Sequence, residues 1–369
     1  MRGNINGYLS DYNLPLIGER LRYNEIDGLV LAIFSFAPIG PDIRRRGRGF
    51  SLEPIGKTMG ELSCELIDTE NNDLLNTRFG FSLRGDFGKH LEFFTNISRN
   101  NRYNNIKIVG FLYNNDELSQ FSAFTFEILP GEYVIAFRGT DDSLEGWYES
   151  IKLFRENLPA RQLALNYLRS EMKKLKGSFR LVGHSKGGHL AVAAAIMSDI
   201  KQKTNIRSVI NYDGPGFTKE FIKKHYKSIL LLQHKVYRFS PTDALVSSVL
   251  FGQEIIYYEK NMRYVKPYGP KVPHDQHLYF NWAINMKNRF ELKKRSKLSV
   301  AFQKAADKVH NLYSLRDMDY ILDQLYEQTR ELYKDSENMM NRFDVLTIFL
   351  GATIKILAGS KKQRINPKL

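Results

Sequence analysis

Gly183-His184-Ser185-Lys186-Gly187 places a serine between glycines at the spacing of a sharp turn, and a serine presented that way can attack an acyl carbon. Side chains at the flanking positions would collide with their neighbours, which is why the turn calls for glycine. A serine hydroxyl is a weak nucleophile at its free pKa, so it needs a base, and the base needs a carboxylate to orient it. Two aspartates lie downstream. Asp243 follows Phe239-Ser240-Pro241-Thr242, and Asp213 opens Asp213-Gly214-Pro215-Gly216. Each sits just past an expected strand; the residues favour Asp243 and keep Asp213 as the alternative. For the base there are His274 and His277, in Pro273-His274-Asp275-Gln276-His277-Leu278. His310 falls inside a predicted helix, while His184 and His189 flank the serine and are expected to line or pack the turn. Charge developing on the substrate oxygen needs two donors. The backbone N–H of Lys186 is one candidate, and Thr140, in Arg138-Gly139-Thr140, is the other.

The elements around these residues have to hold them. Phe179-Arg180-Leu181-Val182 reads as a buried strand entering the serine turn, and the alanine-rich run 190–197 as the helix leaving it. Strands are also predicted at 106–112, 121–128, 133–137, 206–212 and 235–239, with helices at 160–174 and around 218–228. An apolar helix is predicted over residues 23–34, ended by Pro38 and Gly40. Residues 51–100 give mixed signals. Strands alternating with helices over 130–240 indicate an α/β fold with a largely parallel sheet. In the α/β-hydrolase order serine, acid and histidine follow one another along the chain, as the candidates do. After residue 298 the strands stop, and Leu315, Met318, Leu322, Leu325 and Leu332 share a helical face. The expected division is a hydrolase domain over 1–297 and a helical region over 298–369.

Composition narrows the partners. A chain of 369 residues that is 43% hydrophobic can bury a large core, and its single cysteine, Cys64, excludes an intrachain disulfide or a cysteine-based zinc site. No metal or cofactor is called for. The N-terminus lacks the apolar core of a signal peptide, and the apolar runs 29–39 and 345–358 are too short or interrupted to span a bilayer. The expectation is therefore a cytoplasmic protein. The net charge is +14, and Arg44, Arg45, Arg46 and Arg48 form one basic cluster. Lys287, Arg289, Lys293, Lys294, Arg295 and Lys297 form a second. Such clusters attract phosphate, here more in keeping with peripheral contact at an anionic membrane than with nucleic acid.

Ala136-Phe137-Arg138-Gly139-Thr140 with Gly146-Trp147, followed by the serine turn, resembles the class 3 (fungal-type) lipases. Asn24-Glu25-Ile26-Asp27, Asp213-Gly214-Pro215-Gly216-Phe217, and Gln276-His277 ahead of Trp282 resemble more closely the bacterial Mbeg1-like (DUF2974) α/β-hydrolases. The resemblance covers roughly residues 5–285. It implies a lipase-like fold with Ser185, Asp243 and His277 as the triad, and it favours His277 over His274. One departure is that Ser150 stands where the lipase pattern has an aspartate, with Glu149 as a possible substitute. The expected function is a serine hydrolase of carboxylic esters, lipase-like, esterase-like or phospholipase-like. Thioesterase or peptidase chemistry on the same residues, or an inactive binding module, are the alternatives.

Overall fold

The structure, a computed structural model, describes residues 3–14, 22–39, 52–68, 86–115, 120–140, 158–248, 250, 253–269 and 275–312. Helices α1 (Ile5–Asp11), α2 (Glu25–Phe34), α3 (Met59–Ile67) and α4 (Asp86–Arg99) come first. Strands β1 (Lys107–Asn115), β2 (Gln120–Leu129) and β3 (Glu132–Phe137) follow, paired antiparallel. The chain then alternates through α5 (Pro159–Lys174), β4 (Ser178–His184), α6 (Lys186–Met197), α7 (Ile200–Asn205), β5 (Ile206–Tyr212), α8 (Lys219–Leu232) and β6 (Val236–Pro241). The short α9 (Gln253–Ile256), β7 (Met262–Val265) and α10 (Lys297–Leu312) complete it. Among the described residues one sheet runs β1 to β7 in sequence order, parallel from β3 onward. This is the α/β-hydrolase class of fold that the strand and helix pattern indicates.

Alternate residues of β3 separate the two halves of the core. Val134 and Ala136 face a cluster containing Leu29, Ile33 and Phe34 of α2, whereas Ile135 and Phe137 face Leu168 of α5 and Leu190 of α6. Burial on both faces explains why the central strands read as unbroken apolar runs. Helix α6 is buried along nearly its whole length, which small residues permit, because they let it lie close to the sheet. A Cβ on Gly188 would fall 2.2 Å from Asn211 Oδ1.

Asn24-Glu25-Ile26-Asp27 turns out to be structural. Asn24 caps α2 and Asp27 returns a bond to the Asn24 N–H. The same Asp27 carboxylate takes Arg102 bidentately at 2.6 and 2.7 Å and the Tyr103 hydroxyl at 2.6 Å, all buried. A buried charge needs such partners, and they tie α2 to the turn that leads into β1. Residues 51–100, which gave no clear pattern, contain α3 and α4; the Thr58–Glu61 capping box starts α3.

Helix α10 begins at Lys297, and Ser296 N–H donates to Thr242 O at 3.0 Å. The heptad-spaced leucines, the basic run 44–48, Gly146-Trp147, Glu149, Ser150 and His274 lie outside the described residues. Among the described residues no helix is long and apolar enough to cross a membrane.

Candidate active site

Strand register carries the candidate residues to one edge. Phe137 pairs with Gly183, His184 with Tyr212, and Tyr212 with Phe239. Arg138, Ser185, Asp213 and Thr242 are therefore the residues leaving adjacent strands at their carboxyl ends, where open α/β sheets bind ligands.

Ser185 itself has φ 58° and ψ −129°, a conformation that costs a non-glycine residue on the order of 1–3 kcal/mol. Close packing imposes it. A Cβ on Gly183 would lie 2.2 Å from the Gly187 carbonyl carbon, and one on Gly187 would lie 2.0 Å from Phe137 O. The two glycines that define the motif are thus required by the approach of α6 to β3 and β4. The Ser185 N–H donates to Tyr212 O at 2.9 Å, fixing the serine beside the turn that begins at Asp213. Lys186 is the first residue of α6, so its N–H belongs to the turn whose donors have no acceptor within the helix. Gly139 packs so closely that a Cβ there would sit 2.6 Å from His184 O, which brings the Arg138–Thr140 segment against the serine turn. Of the two oxyanion candidates, Lys186 directly follows Ser185, and Thr140 follows Gly139, the residue packed on His184 O.

The two candidate aspartates meet different residues of the histidine turn. His277 Nδ1 lies 2.7 Å from Asp213 Oδ2, and Asp213 is wholly buried. With Nδ1–H donated to the carboxylate, Nε2 keeps its lone pair. Asp243, the acid that the residues and the resemblance favoured, does not meet the imidazole. Its Oδ2 accepts instead from Gln276 Nε2 at 2.6 Å. This pairing has a local cause. Asp213 takes φ 51°, its N–H donates to Phe239 O at 2.8 Å, and Asn211 Oδ1 accepts from Gly214 N–H at 2.7 Å. That tight turn lies between Ser185 and His277, whereas Asp243 lies one strand further along and meets the preceding residue of the histidine turn.

Sequence reasoning missed how firmly the histidine turn is held. Three consecutive carbonyls each accept a side-chain donor at 2.8 Å: Asp275 O from Asn281 Nδ2, Gln276 O from Trp282 Nε1, and His277 O from His184 Nε2. The signal was present as the tryptophan five residues after His277. His184, expected only to line or pack the turn, also stacks its ring 4.6 Å from that of His277. His189 packs on Phe217 at 4.1 Å, accepts from Arg161 Nε at 2.9 Å and donates to Gly216 O at 2.8 Å. His310 is carried by α10.

Burial holds both His184 and His189 well below the usual histidine pKa, with the charge of His277 adding to it for the first and that of Arg161 for the second. Below about pH 6.5 the unfolded chain therefore takes up protons that the folded chain refuses. Stability present above that pH is expected to fall on acidification, by about 1.4 kcal/mol per pH unit for each histidine. Urea midpoints measured between pH 7.5 and 5.5 test this; a flat profile would count against neutral, buried imidazoles.

Comparison with known proteins gives the family. No curated protein sequence matches the chain. Among solved structures, lipase II from Rhizopus niveus is similar at 13% identity over 69% of this chain and 93% of that one, with a TM-score of 0.32. A Rhizomucor miehei lipase–propeptide complex gives 11%, 63%, 84% and 0.33, and a fungal lipase–inhibitor complex 12%, 55%, 79% and 0.32. Overlap at that level is partial, and the assignment rests instead on sequence. Residues 97–327, more than half of the chain, match the family described as Mbeg1-like, and they span the serine turn, both aspartates and the histidine turn. The chain belongs to the Mbeg1-like family.

Proposed function

We propose that this protein is a serine hydrolase that cleaves carboxylic esters through an acyl-enzyme, with Ser185 as nucleophile, His277 as base and Asp213 as the orienting acid. The observation that carries the reading is the His277–Asp213 contact of 2.7 Å beside a serine held at positive φ. In the first half-reaction His277 Nε2 takes the Ser185 proton as Oγ bonds to the acyl carbon. The imidazolium, stabilised by Asp213, then gives that proton to the departing alkoxide, and an acyl-serine remains. In the second half, water attacks the same carbon, its proton passing through His277 to the serine as the acid leaves. The Lys186 and Thr140 N–H groups are the proposed donors to the oxyanion. Half-buried Phe36 stacks at a tilt 5.8 Å from Tyr279 and lies against Gly139, which supports an apolar acyl group. Labelling with a fluorophosphonate probe, together with hydrolysis of p-nitrophenyl esters of rising chain length, tests the reading. An unlabelled protein would leave a binding module in its place.

Peripheral contact with anionic lipid belongs to the same reading. In the second basic cluster Arg289 pairs with Glu25 and Arg295 holds Ser248 and Ser299, so these two serve the fold. Lys287, Lys293, Lys294 and Lys297 are exposed, interleaved with exposed Met286, Leu292 and Leu298. Cations among apolar side chains suit a headgroup interface, at about 1 kcal/mol per lysine near the surface. Binding to vesicles of anionic phospholipid is expected to weaken steeply with salt, while hydrolysis of a small soluble ester stays constant. Equal sedimentation with neutral and anionic vesicles would remove the anionic headgroup from the proposal and leave the lysines as ordinary solvated surface.

A further inference from the structure

We infer that Asp243 and Gln276 form a positioning clamp for the base, so that Asp243 acts on catalysis through Gln276 and the backbone of His277. The inference rests on the proposed triad and adds to it. Gln276 is buried, and its amide is held from both ends: Nε2 donates to Asp243 Oδ2 at 2.6 Å, and Oε1 accepts from the Asp243 N–H at 3.2 Å and from Thr242 Oγ1 at 3.4 Å. The charged acceptor makes the first of these the strongest.

The aspartate is itself immobilised. The carbonyl before it, Thr242 O, accepts from Ser296 N–H at 3.0 Å. The carbonyl after it, Ala244 O, accepts from Ser248 Oγ at 2.7 Å and Ser299 Oγ at 2.8 Å. Arg295 Nη2 binds both Ser248 Oγ and Ser299 O. A rigid bracket therefore runs from the start of α10 through Asp243 to the residue preceding the base. Asp213 fixes the imidazole ring, and the bracket fixes the backbone from which that ring projects. Proton transfer depends on both, since a misplacement of about 1 Å at a reacting group can cost 10²-fold.

The test compares variants by kcat and KM on a soluble p-nitrophenyl ester. Asp243→Ala is expected to lower kcat about 10- to 100-fold with KM unchanged. Asp243→Asn, whose side-chain oxygen still accepts from Gln276, is expected to return kcat to within about threefold of the parent. Gln276→Met, close in volume, should reproduce the alanine loss without touching Asp243, and it serves if the alanine variant does not fold. The downfield His277 Nδ1–H proton resonance should broaden in Asp243→Ala and persist in Asp243→Asn. A parental kcat in both Asp243→Ala and Gln276→Met would overturn the clamp and leave the hydrolase reading standing. A loss near 10⁴-fold in Asp243→Asn would overturn it in the other direction, by making Asp243 the orienting acid. A parent protein that neither hydrolyses esters nor labels at Ser185 would remove the clamp together with the reading beneath it.

Discussion

Replacing Ser185 with alanine is expected to abolish fluorophosphonate labelling and to lower kcat for ester hydrolysis by about 10⁶-fold, leaving only background. The size follows from the roles. Without an oxygen at that position no acyl-enzyme forms, and His277 has no proton to take. The fold should survive, because alanine keeps the Cβ and makes no new demand on a backbone already at φ 58°. Glycine is the informative companion. It removes the Cβ that makes this conformation costly, so Ser185→Gly is expected to be equally inactive yet more stable by about 1–2 kcal/mol in urea denaturation. Stability exchanged for nucleophile presentation in this way is a signature of a functional strain. Labelling of Ser185→Ala at the parental rate would move the reactive residue elsewhere and sink the assignment.

The second large effect is expected at Asp213. Asp213→Asn should reduce kcat by about 10⁴-fold with little change in KM, because a neutral amide neither anchors Nδ1–H as strongly nor stabilises the imidazolium. Asparagine is the right substitution here. It tolerates the left-handed backbone that Asp213 adopts at φ 51°, so the turn should hold and the loss can be read as chemistry. The Asp213 carboxylate is fully buried against His277, which leaves water no route to replace it. Steady-state rates within tenfold of the parent would show that His277 does not depend on this aspartate.

The sequence alone was enough to mark the serine turn and to place most of the strands. Both were written in local terms: glycines required by close backbone approach, an alanine-rich helix, and apolar runs of the length of buried strands. It also singled out a six-residue segment holding His277, the histidine that the structure brings to Asp213, and the Arg138–Thr140 loop that packs against the serine turn. Residues 51–100 stayed illegible because α3 and α4 take their stability from packing on other elements, as with Asn6 Nδ2 donating to Lys89 O in α4 at 2.9 Å. The role of His184 was equally hidden, since its partner is a carbonyl 93 positions away.

Which aspartate meets the histidine belonged to the tertiary structure. Asp213 and Asp243 both follow strand ends, both precede the histidine, and both sit in turns where aspartate is at home. What separates them is which residue of the 275–277 turn each one meets across the edge of the sheet. Asp213, just past β5, is turned by its positive φ toward the imidazole at 2.7 Å, and Asp243, just past β6, meets the Gln276 amide at 2.6 Å. Position along the chain cannot encode that difference, because it depends on strand neighbours and on three side chains that pin the histidine backbone from elsewhere in the fold.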